Sequence, residues 1–452
     1  MGKSVRIVGG GLAGAEAAYQ LARRGVRVDL YEMRPHRMTE AHATGDLGEL
    51  VCSNSLRSTL MTAPAGVLKE EMRRLDSLVI RVAEGNRVPA GSALAVDRDS
   101  FAQALTRAVE ALPKCRIHRE EVKDIPSGFG ILATGPLTSP ALSQQLAILL
   151  GSEHLYFYDA ISPIVTAESV GMTVAFRASR YEKGDDDYLN LPLTREEYYR
   201  FVDALLTAER VPTHSFERFV PFEGCMPIEE IADRGKETLA FGPMRAVGLI
   251  DPRTGQRPYA VVQLRQENRE KSLYNLVGCQ TKMTYPEQRR VFAMIPGLEK
   301  AEFVRLGSLH RNTFINSPKH LLPTLQWRQR LDLFFAGQMT GVEGYIESAA
   351  TGLVAGVNAA RLIADEPAIV PPATTALGSL LRYIADPERK SFQPMNVNFG
   401  LLPSLSEPLR KKAKKEMMAQ RALADMEAWV KNTERGEAFI PLDPDGCSAV
   451  AR

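Results

Sequence analysis

The chain has little of what would decide its class at once. Among its 452 residues are only five cysteines, Cys52, Cys115, Cys225, Cys279 and Cys447. They form no C-x-x-C pair and no Cys/His cluster at zinc spacing, so neither a disulfide framework nor a metal site is indicated. The acidic run Asp185 to Asp187 reads as an exposed loop, and no metal is expected there either. Charge of one sign is not in surplus: 56 basic residues against 54 acidic ones leave +2, so any contact with nucleic acid must come from local patches. No run of about 18 apolar residues is present to cross a bilayer. The first strand begins without a signal-peptide pattern, and Arg6 stands where a myristoylation motif wants Ser or Thr, so a cytoplasmic protein off the membrane is expected. Internal repeats and low-complexity tracts are missing as well. What remains, at 44% hydrophobic and 24% charged residues, is the composition of a globular enzyme of two or three domains.

Against this plain background one stretch stands out, Ser4 to Glu32, SVRIVGGGLAGAEAAYQLARRGVRVDLYE. It reads as strand, glycine turn, amphipathic helix over Leu12 to Arg24, second strand over Val26 to Tyr31, and terminal acid. Gly9, Gly11 and Gly14 hold the G-x-G-x-x-G positions: the first permits the tight turn, the second admits a pyrophosphate to the backbone, and the third lets helix and strand pack closely. The helix N-terminus offers free N–H groups and positive potential to the phosphates. Glu32 ends the second strand where a carboxylate can accept hydrogen bonds from a ribose diol. The pattern predicts a dinucleotide-binding site.

Two later segments choose a flavin over a nicotinamide. Gly130 to Pro136, GILATGP, is a short apolar strand closing on Thr134 and Gly135, where a chain passes beside the adenosine half of the cofactor. Leu331 to Ala360 gives another apolar strand, a turn at Gly337, and a helix of small residues whose N-terminus falls near Gly344 to Ser348. Such a returning helix points its positive end at the electron-rich edge of an isoalloxazine. The predicted fold is α/β: a Rossmann-type FAD-binding domain of the glutathione-reductase-like kind, interrupted by an α+β insertion domain. The expected division is 1–155 for the first part of the FAD domain, 156–310 for the insertion, 311–370 for the returning part and 371–452 for a helical C-terminal segment. The cofactor contacts are assigned to Gly9, Gly10, Gly11, Leu12, Ala13 and Gly14, to Glu32, to Thr134 and Gly135, and to Gly337, Glu343, Gly344, Tyr345 and Ser348. No second glycine fingerprint follows, so a reduced nicotinamide would have to reach the flavin directly.

Cys52 lies in GELVCSNS and Cys225 in PFEGCMP, both loop-like, whereas Cys115 and Cys279 read as packed residues. A loop thiol is either inert or reactive, and the residues alone leave both open. The set IVGGGLAGAEAA, GELVCSNSLRS, FEGCMPIEE and GVEGYIESAATG resembles the bacterial folate- and flavin-dependent tRNA uracil-C5 methyltransferases over the chain up to about residue 403. The related wobble-uridine modification flavoproteins share the fingerprint and the late helix but are longer and lack FEGCMP. The resemblance implies conversion of uridine 54 in the tRNA T-loop to 5-methyluridine. The carbon would come from methylenetetrahydrofolate and the electrons from NADH or NADPH through FAD. It further implies Cys225 as the nucleophile at uracil C6 and Cys52 as the second active-site thiol. His310, Arg311 and Asn312, in LHRNTFINSP, are assigned to folate. The alternatives are a small-molecule flavin oxidoreductase with incidental cysteines, a wobble-uridine modifying flavoprotein, and an RNA-binding flavoprotein without turnover. For tRNA phosphates three basic groups offer themselves: Arg73, Arg74, Arg81 and Arg87; Arg289 and Arg290; and Arg410, Lys411, Lys412, Lys414 and Lys415, the last on a helix whose buried side is expected at Met417, Leu423 and Trp429.

Overall fold

The computed structural model describes residues 3–151, 154–182, 186–211, 226–389, 392–406 and 409–434. The apolar strand Ser4–Val8 lies inside a six-stranded sheet. It pairs in parallel with Arg27–Tyr31 on one side and Gly130–Leu132 on the other. Cys115–His118 and Arg330–Phe335 extend the sheet outward, also in parallel, and Gln326–Trp327 closes one edge antiparallel. Parallel neighbours require crossovers that cover both faces, which is why Val5, Ile7 and Leu30 are fully buried. The architecture is that of a Rossmann-type α/β fold.

Glycine makes the central turn possible. Gly9 has φ +104°, and a Cβ there would meet Ala133 O at 2.4 Å; a Cβ on Gly14 would meet Gly9 O at 1.9 Å. The helix Leu12–Arg23 therefore starts directly over the end of the first strand. The helix Tyr345–Ile363 crosses it at close range, because Gly352 and Gly356 leave room for the backbone of Ala13 and Ala17. These two small-residue faces bring the last element of the cofactor fold back onto the first.

Between the two halves of this sheet, strands Phe176–Arg177, Tyr188–Leu193, Ala260–Gln266, Leu273–Val277, Ile164–Thr166 and Phe303–Arg305 form a second, wholly antiparallel sheet. Its own core packs Tyr198, Phe201, Val202 and Leu205 of the helix Arg195–Thr207 against Leu191, Leu264 and Phe292. That helix starts on a capping box between Thr194 and Glu197. A two-stranded ribbon, His154–Ala160 with Leu309–Ile315, connects the sheets. A three-stranded sheet, Ser55–Ser58, Ala93–Val96 and Arg87–Val88, carries the segment that follows Cys52.

The helices Ala376–Ala385 and Lys411–Glu434 pack on Pro64–Arg74. In the last helix the buried side differs from the expected one. Met418, Ala419, Ala422 and Met426 are buried, Leu423 and Trp429 lie at its margin, and Met417 is 47% exposed. Two adjacent methionines cannot share a face of a 3.6-residue helix, and packing selects the second. Among the described residues no helix is long and apolar enough to cross a membrane.

Candidate functional site

The glycine turn, the end of the second strand and the start of the returning helix border a cleft open to solvent. Gly9, Gly10, Gly11, Leu12, Ala13, Glu32, Thr134, Gly135, Gly337, Tyr345 and Ser348 line it. Gly14 does not; it lies beneath the turn against Gly9 O, where its missing side chain lets helix and strand meet. A Cβ on Gly11 or Gly135 would project into space free of protein atoms, so the cradle has room for a pyrophosphate against bare backbone. The residues present fit a dinucleotide such as FAD.

Glu32 is not the bare acid expected from the sequence. Its Oε1 accepts from the backbone N–H and the Nε of Arg34, both at 3.0 Å, and its Oε2 accepts from Gly10 N at 2.9 Å and Arg34 Nη2 at 3.2 Å. Burial opposes the charge, but these donors together hold the carboxyl below its ordinary range. Arg34, only 2% exposed, also reaches Glu49. The Glu32 carboxylate is thus fixed in a fork, one part of a rigid Glu32–Arg34–Glu49 rim of the cleft.

A second cavity adjoins the first and shares Val51, Pro136, Leu137, Gln338 and Tyr345 with it. Cys52, Ser53, Arg57, Arg265, Gln280, Glu343 and Gly344 also line it. The Cys52 loop is held from every side. Tyr345 Oη, on the returning helix, accepts the N–H groups of Cys52 at 2.8 Å and Ser53 at 3.2 Å. Arg305 Nη2 donates to Val51 O at 2.7 Å, and Arg98 donates to Leu50 O. Arg265 donates to Asn54 Oδ1 at 2.8 Å and Ser53 Oγ at 3.0 Å. Arg98 is paired with Glu267 at 2.8 Å, and although burial works against its charge, Glu267 leads the neighbours that keep it above the usual arginine value. Burial pushes the Tyr345 phenol upward, so it stays neutral and its oxygen serves as acceptor.

The other thiols differ. Burial pushes Cys115 and Cys279 up to about 12, which leaves them as packing groups at neutral pH. Cys225 and Cys447 lie outside the described residues. The chain resumes at Met226, which is 3% exposed, and Ile228 N–H donates at 2.6 Å to the carbonyl of Gln280, a residue lining the Cys52 cavity. His310, Arg311 and Asn312 belong by backbone to the connecting ribbon; their side chains lie outside the described residues. That ribbon abuts the same cavity, since Ile161, one of its lining residues, donates its N–H to Ser308 O at 2.8 Å. Among the described residues no group of three or more His, Cys, Asp or Glu side chains is arranged to hold a metal ion.

Sequence reasoning missed Arg34, Arg98, Arg265, Glu267 and Arg305. Each lies among charges of both signs with no motif around it, and only the proximity of Arg34 to the fingerprint acid could have drawn attention to that residue.

Comparisons with known proteins agree with this geometry. Residues 4–367 match the family model described as glucose inhibited division protein A. A methylenetetrahydrofolate–tRNA-(uracil-5-)-methyltransferase TrmFO of Citrifermentans bemidjiense is 58% identical over 432 residues, covering 95% of this chain and 99% of that protein. The protein of the same description from Geobacter sulfurreducens is 58% identical over 429 residues, covering 94% and 99%. Among solved structures, Aquifex aeolicus GidA superposes with a TM-score of 0.68 at 16% identity, covering 96% of this chain and 80% of that one, a likeness of fold.

Proposed function

This chain belongs to the TrmFO family of methylenetetrahydrofolate–tRNA-(uracil-5-)-methyltransferases, and from that premise we propose how its residues divide the work. It is an enzyme that uses FAD and methylenetetrahydrofolate to methylate uracil C5 in tRNA. We assign the target to uridine 54 of the T-loop and the reductant to NADH or NADPH. The latter reaches the site without a nucleotide-binding domain of its own, because the chain has one glycine fingerprint.

Gly9, Gly10, Gly11, Leu12, Ala13, Glu32, Thr134, Gly135 and Gly337 hold the dinucleotide, with Gly14 shaping the turn beneath it; Glu343, Gly344, Tyr345 and Ser348 border the ring. Bound FAD supplies the reducing equivalents that turn a transferred one-carbon unit into a methyl group. The protein must make C5 a nucleophile. Cys225 does this by forming an S–C6 bond, which moves the electron pair of the C5–C6 double bond to C5. Once C5 carries the new carbon, its proton is taken up and the S–C6 bond breaks, returning Cys225 to the thiol pool of the site. Cys52 is the group assigned to that proton. His310, Arg311 and Asn312 are assigned to folate, on the ribbon beside the cavity.

The observation that carries the reading is the clamped Cys52 loop at the boundary of the two cavities, with Tyr345 belonging to both. The protein incubated with methylenetetrahydrofolate, NADPH and unmodified tRNA forms 5-methyluridine. Cys225→Ala and Cys52→Ala each reduce this by at least about a hundredfold while FAD stays bound. Full turnover by Cys225→Ala would remove the nucleophile assignment.

A further inference from the structure

Two guanidinium groups face the Cys52 cavity, and both are anchored from behind. Arg265, 8% exposed, commits its Nε and Nη2 to Asn54 and Ser53, which leaves Nη1 without a partner among the described residues. Arg57 commits one Nη1–H to Glu347 Oε1 at 3.1 Å; its Nε and Nη2 have no partner among the described residues, and its side chain is 36% exposed.

The anchoring of Arg57 is costly. Its backbone sits at φ +67°, in the left-handed region that a side chain disfavours. Its partner Glu347 is fully buried in the first turn of the returning helix. Glu347 Oε1 also accepts Val397 N–H at 3.1 Å, while its Oε2 has no hydrogen-bond partner among the described residues and packs against Gly344. A buried carboxyl with an unsatisfied oxygen and a strained arginine facing it are expensive for stability, and such costs cluster at sites of binding. The other charge lining the cavity, Glu343, accepts a hydrogen bond from Gln338 Nε2 at 2.7 Å. Beside the thiol the cavity presents two anchored donors of positive charge, Arg57 and Arg265.

We propose that Arg57 and Arg265 form a preorganised oxyanion site that binds an anionic group of the substrate entering beside Cys52. A guanidinium anchored at one edge offers the other as a rigid fork, suited to phosphate or carboxylate oxygens. Two sources share that chemistry: a backbone phosphate of the tRNA at the extruded nucleotide, and the glutamyl carboxylates of the folate. The inference rests on the methyl-transfer reading of the site.

Arg57→Gln and Arg57→Lys are the test, with Glu347→Gln as a variant that leaves Arg57 in place but loosens its anchor. For each holoprotein, the Kd of an unmodified tRNA transcript is measured across a salt series, together with the Kd of tetrahydrofolate carrying one or several glutamates. If the anion is a tRNA phosphate, Arg57→Gln weakens tRNA about ten- to a hundredfold and lowers the log Kd against log salt slope by about one, with folate unchanged. If it is a folate carboxylate, the preference for added glutamates is lost and tRNA is unaffected. In either case Arg57→Lys recovers only part of the affinity, because a point charge replaces a fork, and Glu347→Gln falls between wild type and Arg57→Gln. Unchanged affinities for both ligands in folded, yellow Arg57→Gln overturn the proposal. So does an effect confined to the absorbance of the bound flavin, which would assign the charge to the cofactor instead. Wild-type protein that makes no 5-methyluridine would instead fail the functional reading, so the two failures are separable.

Discussion

Lys69 is buried to 2% exposure and donates from Nζ to Leu56 O at 2.7 Å and Ala65 O at 3.1 Å. Two carbonyls are what a neutral amine can serve. Burial lowers its pKa to about 7 despite the opposing pull of Glu347. Between that value and the ordinary lysine value of 10.5 the unfolded chain binds a proton at Lys69 that the folded chain does not. Stability from this residue therefore rises with pH across the window, by roughly 1.4 kcal/mol per pH unit at the steepest, and is flat below it where both states are charged. Lys69→Met loses the two hydrogen bonds at every pH, but its urea midpoint lacks the rise, so the gap between wild type and variant widens from pH 7 to pH 9. A constant gap would place the lysine outside this linkage. Residues of this kind were closed to sequence reading. The glycine turn at Gly9 and the strand end at Glu32 are legible because their neighbours in the chain define them, whereas Lys69, Glu347 and Arg57 acquire their partners only when distant segments meet.

The elements of the cofactor fold were legible for the same local reason. An apolar strand, a glycine turn and a helix over small residues cannot easily be arranged otherwise, and the expected second strand differs from the observed Arg27–Tyr31 by one residue at its start. The register of the C-terminal helix was not legible, since Met417 and Met418 present equal side chains and only the surface of Pro64–Arg74 distinguishes them. Helix contact in the cofactor domain depends on positions where nothing larger than hydrogen fits. A Cβ on Gly352 would lie 2.1 Å from Ala13 O, a backbone atom of a residue that lines the dinucleotide cleft. Gly352→Ala must therefore push the returning helix away, costing about 1–3 kcal/mol and weakening FAD retention. Gly85→Ala, at a helical glycine with no atom within 4 Å of the added carbon, is the control and gains up to about 1 kcal/mol. Flavin release on dilution, followed by fluorescence, separates them. Equal retention in both variants would mean that the crossing tolerates a methyl group.

At the scale of the whole molecule, the cofactor sheet and the antiparallel sheet have separate cores, and charged contacts tie them together at the Cys52 loop. Arg98 reaches Glu267, Asp97 accepts Arg269 N–H at 2.9 Å, Asn54 donates to Gln266 O at 3.0 Å, and Arg305 holds Val51. The order of strands in the chain announced an inserted unit, but no periodicity encodes which of its residues return to a particular loop, so this clamp was invisible beforehand. The same pairing alters the view of the basic groups. Arg73, Arg74 and Arg81 are engaged by Glu70, Glu84, Glu427 and Asp76, and Arg290 by Glu287, whereas Arg87, Arg289 and, on the C-terminal segment, Arg410, Lys412, Lys414 and Lys415 are exposed. The Arg98–Glu267 pair is the test of mechanical coupling, because its carboxylate is 3% exposed and removing it leaves a largely enclosed guanidinium without its counter-charge. Glu267→Gln should cost about 3–5 kcal/mol at the junction while leaving each core intact. Calorimetry of wild type shows one cooperative transition if the clamp couples the sheets. The variant then splits it, the earlier step exposing the buried Cys279 of the antiparallel-sheet core to alkylation before FAD is released. A single transition merely shifted to lower temperature, with Cys279 protected until the flavin leaves, would mean that the apolar contacts join the two units and that the ion pair serves only the loop.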